Sequence, residues 1–429
     1  MRMKLAVGAG SIIAAVSVAA GFAFHGDEPK RSVPEKPTYA EHVAPILNEH
    51  CVQCHRPGEV APFSLIGYEN AKKWSAMCAK VTHGKQMPPW KATLGYGDFK
   101  DTNLLTESEI AVIKNWDETG APRGNAKAEP KPPVFTSEWA LGTPDLVVSQ
   151  AKPYQITPEG TDEYRNFIIK TNYTKPMWIK SMDVRPGNRK VVHHVICYLD
   201  NTGQSERLAA ATTDGKEGYV TFGGIGFIPS GSLGGWAPGL RSRMLPDGRA
   251  FKLEPGARIV MQVHYNKSGK SEVDQTKVGV YFAKEPVTQE VKLDWLFKLA
   301  LRIPAGENEH KEVYRQTVPE DVTIYGVMPH MHLLGKAMKA WVEKPDGSVV
   351  PLIHVQDWDF NWQLNYLYKE PLKIPKGSKI IVEGTYDNSS GNPANPNKPP
   401  KTVFVGEKTT DEMMLLIAAY SVDGQVVKN

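Results

Sequence analysis

Residues 258–265 read Arg-Ile-Val-Met-Gln-Val-His-Tyr (RIVMQVHY). Successive side chains of an extended chain point to opposite faces, so Ile259, Met261, Val263 and Tyr265 share one face and Val260, Gln262 and His264 the other. The spacing predicts a strand with its more apolar face on a core and His264 turned toward another surface. Similar short apolar alternations, separated by Gly, Pro, Asn and Asp, recur at 190–199, 378–386 and 413–422. About 270 residues of this texture predict two jelly-roll-like β-sandwich units, 137–290 and 291–429. A loop is expected at 389–401.

Ahead of the strands, 34–124 carries a helical pattern. Val43, Ile46 and Leu47 fall on one face of 39–50, and Thr106 with Glu109 forms a capping box before Ile110, Val112, Ile113 and Trp116. The stretch 125–133 (NAKAEPKPP) loses apolar periodicity and gains prolines, so 125–136 reads as a short, stiff linker. The expected fold is multidomain: a small all-α domain followed by two all-β sandwiches.

Arg2 and Lys4 precede an uncharged stretch, 5–24, with small residues at Gly21-Phe22-Ala23. Residues 1–24 read as an export signal, cleaved or retained as an anchor, which places the protein in a periplasm or otherwise outside the cytoplasm. With 51 Lys+Arg against 47 Asp+Glu, a net charge of +4 is too weak a field for nucleic acid as a partner. Four cysteines are too few for a disulfide-stapled scaffold.

Two of those cysteines lie in Cys51-Val52-Gln53-Cys54-His55. Thiols at this spacing reach both vinyl groups of a haem while the adjacent imidazole faces the iron, so one covalent haem c is expected. Met87, in Gln86-Met87-Pro88-Pro89-Trp90, is the expected opposite ligand, in a loop fixed by prolines. Met77, read as a helical core residue, and His83 compete for that role, and Cys78 reads as a buried thiol.

Five of twelve histidines fall in three strand-like segments. His193 and His194 are adjacent, so one metal held by both needs a local bend of the strand. His330 and His332 share one face, a natural two-tooth chelate. Met413 and Met414 open the last strand. Imidazole with thioether donors favours copper over zinc, because soft sulfur stabilises Cu(I). No carboxylate adjoins these histidines in the sequence to favour zinc.

Taken in order, HHV (193–195), QVHY (262–265), HMHLLGK (330–336) and TTDEMM (409–414) resemble the copper type II monooxygenases that include peptidylglycine alpha-hydroxylating monooxygenase and dopamine beta-monooxygenase. The resemblance covers roughly 137–422. It implies two sandwiches facing each other across an open cleft, each holding one copper. His193, His194 and His264 would bind an electron-transfer copper, and His330, His332 and Met413 the oxygen-activating one. It also implies O2 as co-substrate. The family's substrate-fixing residues are replaced by Met328, Leu415 and Ile417, which implies an apolar small-molecule substrate and not a peptide carboxylate. Residues 50–65 (HCVQCHRPGEVAPFSL) and the MPPW loop are similar to class I c-type cytochromes, which implies that electrons enter from a periplasmic donor through the haem. The alternative expectation is an exported electron-transfer or copper-binding protein without hydroxylase activity.

Overall fold

The computed structural model describes residues 33–135, 139–221, 224–238, 240 and 242–427; the expected export signal at 1–24 lies outside them. Residues 33–429 form one compact unit. Among the described residues no helix is long and apolar enough to cross a membrane.

The first sandwich has two five-stranded sheets. One runs, neighbour by neighbour, Leu146–Ser149, Lys277–Phe282, Met177–Arg185, Arg249–Leu253, Gln289–Glu290. The other runs Tyr219–Val220, Glu163–Lys170, Arg258–Tyr265, Val192–Asp200, Gly231–Trp236. Phe167, Val195, Cys197, Met261 and Val263 fill the core between them. The alternation in RIVMQVHY holds, but its second face is buried too, with Val260 against Tyr198 and Ile225.

The second sandwich pairs Lys292–Phe297, Leu415–Val422, Val322–His330 and Tyr366–Ile374 in one sheet. His310–Thr317, Lys379–Tyr386, Gly335–Glu343 and Val349–Val355 form its other sheet. A register shift between Ile324 and Gly326 kinks Val322–His330. A Cβ on Gly326 would lie 2.7 Å from the Tyr366 carbonyl, so only glycine fits this close approach.

The expected all-α domain is not present as such. The chain is mostly β, and the helices of its N-terminal part are short: Ala44–His50, Tyr68–Lys73, Ser75–His83 and Glu107–Glu118, of 7, 6, 9 and 12 residues. They share a small core of Tyr39, Val43, Leu47, Ile113 and Trp116, and the capping box forms at Thr106 and Glu109. Between the last two helices, however, the chain leaves them. Ala92 bridges Val355, Phe99 bridges Tyr368, and both Ala92 and Phe99 are buried in the second sandwich's core. Periodicity reports helices but not this long-range apolar docking, which merges the segment with the β framework. On the other side Glu59 accepts from Arg185 at 2.9 Å and Arg189 at 3.3 Å, both belonging to the first sandwich. Arg243 pairs with Asp101.

Candidate metal centre

His193 is the extra residue of a bulge. Val192 pairs with Tyr265 and His194 with His264, so the register slips by one at His193. This is the bend that adjacent histidines need in order to face one point. The ring centroids of His193, His194 and His264 lie 4.8–5.4 Å apart. Nδ1 of His194 is 3.2 Å from Nδ1 of His193 and 3.4 Å from Nδ1 of His264. His264 Nε2 donates to Asp162 Oδ2 at 3.0 Å, which leaves its Nδ1 lone pair for a metal. That hydrogen bond holds the Asp162 carboxyl below its ordinary value. Tyr164, cross-strand neighbour of His264, stacks on it at 4.2 Å and 14° and donates to the Glu407 carbonyl.

The second set is built differently. Val322–His330 ends at His330, so His332 sits in the turn beyond and not on the strand. His330 Nδ1 donates to Gln363 Oε1 at 2.8 Å and His332 Nδ1 to the Asp411 carbonyl at 3.2 Å, leaving both Nε2 atoms for a metal. The turn is held by Glu412. Its buried carboxyl group accepts from the amides of His332 (2.9 Å), Leu334 (2.7 Å) and Met413 (3.0 Å). Burial pushes this carboxyl up to about 8, against the opposite pull of those amides. Met413 lines the cavity that His330 and His332 also line. Met414 and Met331 are fully buried in the second sandwich's core.

One cavity of about 230 Å³ joins both sets, bounded by Trp236, Met328, Leu415 and Ile417. Where the resemblance implies an open cleft, Phe360 stands between them. Its ring stacks on His193 at 5.4 Å and 20° and meets His332 edge-on at 5.9 Å and 81°. Burial lowers His193 to about 4, His330 to about 3 and His332 to about 4, and holds His194 well below its ordinary value. Neutral imidazoles of this kind bind a metal without first losing a proton. At the His330/His332 set, isolated in a His193→Ala/His194→Ala/His264→Ala protein, Cu(II) affinity is expected to change less than about twofold from pH 7 to 5, whereas ordinary imidazoles would protonate in that range. Isothermal titration at the two pH values checks this.

At the other candidate site, Cys51 and Cys54 are partly exposed, and His55 sits on the same turn, its amide donating to the Cys51 carbonyl at 2.9 Å. Burial pushes the Cys51 thiol up to about 12. His55 Nδ1 donates to the Phe63 carbonyl at 3.2 Å, leaving Nε2 for an iron. This donor set fits a covalent haem. Met87 follows Ser75–His83 and is partly buried, its amide bonded to the Val81 carbonyl; His83 is exposed. Met77, expected in the core, is 46% exposed, because the inward face of that helix is taken by Cys78 and Thr82. Cys78 is the buried thiol expected.

Asp162, Tyr164, Phe360 and Gln363 carry no signal in the sequence, and Glu412, though inside TTDEMM, gives none for its role in holding the turn of His332. Asp162 lies 102 positions from the histidine it orients, and Glu412 78 to 80 positions from the turn it holds.

Residues 308–424 match a model of the copper type II ascorbate-dependent monooxygenase C-terminal domain. The second sandwich is similar to that family's. A human DBH-like monooxygenase protein 2 is 23% identical over 252 residues, 54% of this chain and 47% of that protein. The chain thus spans about half the length of this relative. Among solved structures, the infectious bursal disease virus VP2 subviral particle is 11% identical with a TM-score of 0.20, over 66% of this chain and 73% of that one. A Paenibacillus xanthan lyase is 11% identical with a TM-score of 0.17, over 66% and 26%. Likeness at that level carries no argument. The matched domain is named for copper and for ascorbate-dependent monooxygenase chemistry.

Proposed function

We propose that the chain is an exported monooxygenase that uses O2 to hydroxylate an apolar small molecule, with electrons entering through haem c on Cys51, Cys54, His55 and Met87. In such a reaction a C–H bond breaks and a C–O bond forms, while the second oxygen atom takes two electrons and two protons and leaves as water. The observation that carries this reading is the convergence of two unlike donor sets, three Nδ1 atoms and a His/His/Met set, on one apolar cavity. Copper bound to each set would supply the two stored electrons and the point at which O2 is reduced.

The protein's own groups orient and exclude. Asp162, Gln363 and the Asp411 carbonyl each hold a proton on the far nitrogen of a ligand imidazole. Glu412 aligns Met413 with His332. Trp236, Leu415 and Ile417 give the cavity an apolar wall suited to an apolar substrate. The two sandwiches, proposed as 137–290 and 291–429, supply one donor set each.

Copper-loaded, ascorbate-reduced protein is expected to consume O2 in the presence of one or more of a panel of apolar and aromatic compounds, with one hydroxylated product per O2. Two bound coppers without substrate-dependent O2 uptake would favour the electron-carrier reading, which the loss of the family's substrate-fixing residues at Met328, Leu415 and Ile417 supports. Zinc at two atoms per chain would sink both. For the haem, a Cys51→Ala/Cys54→Ala variant is expected to lose the covalent chromophore, and Met87→Ala the thioether-to-iron band in the near infrared. Survival of that band in Met87→Ala would exclude Met87.

A further inference from the structure

Phe360 is a large aromatic residue that belongs to none of the described hydrophobic cores, although the strands around it are packed with apolar side chains. Its ring contacts are His193 on one sandwich and His332 on the other. Its backbone is anchored independently of the ring. Trp358 Nε1 donates to the His332 carbonyl at 3.1 Å, Gln363 Nε2 donates to the Phe360 carbonyl at 3.2 Å, and Asp359 Oδ1 accepts from the Asn361 amide at 3.0 Å. The side chain can therefore rotate about χ1 while the loop, and the Gln363 bond that orients His330, stay in place. A residue kept only for stability would bury this ring in a core. Here it is half-buried and lines the cavity between the donor sets.

We propose that the Phe360 ring holds the place of the substrate: a flat aromatic ligand binds by displacing it from His193 and taking over its contacts with His193 and His332. This rests on the cavity being the substrate site and narrows the substrate class to aromatic rings. The ring sits parallel to one imidazole and perpendicular to the other, an arrangement suited to a second ring of similar size. The surrounding Trp236, Met328, Leu415 and Ile417 suit the remaining faces of such a ligand. Phe360 is thus a specificity-determining residue that closes the cavity when no ligand is present.

The test uses the full-length metal-free protein with indole as probe, so that its outcome does not depend on copper. By calorimetric titration Phe360→Ala is expected to bind indole about tenfold more tightly than the unaltered protein, because no ring has to be displaced. Phe360→Trp is expected to bind it more weakly. The His193 ring protons should move downfield in the proton NMR spectrum of Phe360→Ala, with the stacked ring gone, and upfield again when indole is added. Equal indole affinity in all three proteins would overturn the proposal, as would indole binding that leaves the His193 signals unmoved. Unfolding of Phe360→Ala would overturn it as well, since it would make the ring a core residue. Copper stoichiometry, measured separately, should stay the same in Phe360→Ala and in the unaltered protein. Failure to bind copper in both would bear on the proposed function and leave the indole result standing.

Discussion

Met413→Leu is expected to abolish sulfur scattering in the Cu(I) X-ray absorption signal while barely changing stability. The two methionines of Thr410-Asp411-Glu412-Met413-Met414 are adjacent in sequence and opposite in place. Met413 lines the cavity and is partly exposed, so a near-isosteric leucine costs less than about 1.5 kcal/mol. Met414 is 0% exposed among Val382, Tyr386 and Leu416. Met414→Ala is expected to lose about 2–5 kcal/mol in urea unfolding while keeping the copper–sulfur signal, because the cavity it leaves cannot be refilled. A sulfur signal that survives Met413→Leu and vanishes in a folded Met414→Leu protein would reverse the assignment.

Glu412→Ala is expected to be among the most damaging single changes outside the apolar cores. The carboxyl group accepts from three amides, two of them buried, and leaving each buried amide unsatisfied costs about 1–3 kcal/mol, so a loss of roughly 2 kcal/mol or more is expected. The same change unties the turn of His332 from Met413, so binding of a second copper should fail even where the protein folds. The pH dependence has a definite sign. The folded carboxyl is raised from 4.5 to about 8, so the folded state holds its proton where the unfolded state has lost it. Its contribution is full below about 4.5 and is lost as pH rises through 8. The melting temperature of the metal-free protein should therefore fall between pH 7 and 9 by more than that of Glu412→Gln. Parallel curves would show that Glu412 does not titrate in this range.

The proposed donor residues are legible in the sequence because they are local patterns. HHV, QVHY, HMH and CVQCH each specify residue type and spacing within a few positions, and period-two alternation marked the strands at 258–265 and 378–386. The need for a bend at His193 was readable too, since adjacent side chains on a flat strand diverge. The HxH pair was less faithful: it looked like two teeth of one strand, yet the strand stops at His330 and a buried glutamate sets the position of His332.

What only the tertiary structure decided depends on contacts between residues far apart in the chain. Periodicity identified the helices of 34–124 but made them a domain of their own. Trp90 and Phe99 sit outside any helix, and nothing in their spacing announces that they pack on Tyr366 and Tyr368, more than 260 residues away. Asp162 on His264, Gln363 on His330 and Phe360 between His193 and His332 are of the same kind. A metal-ligand pattern is written in the identities of the donors. The protons on their far nitrogens, the alignment of one methionine over its neighbour and the ring filling the space between the two sets come from packing, which brings together residues that the sequence keeps apart.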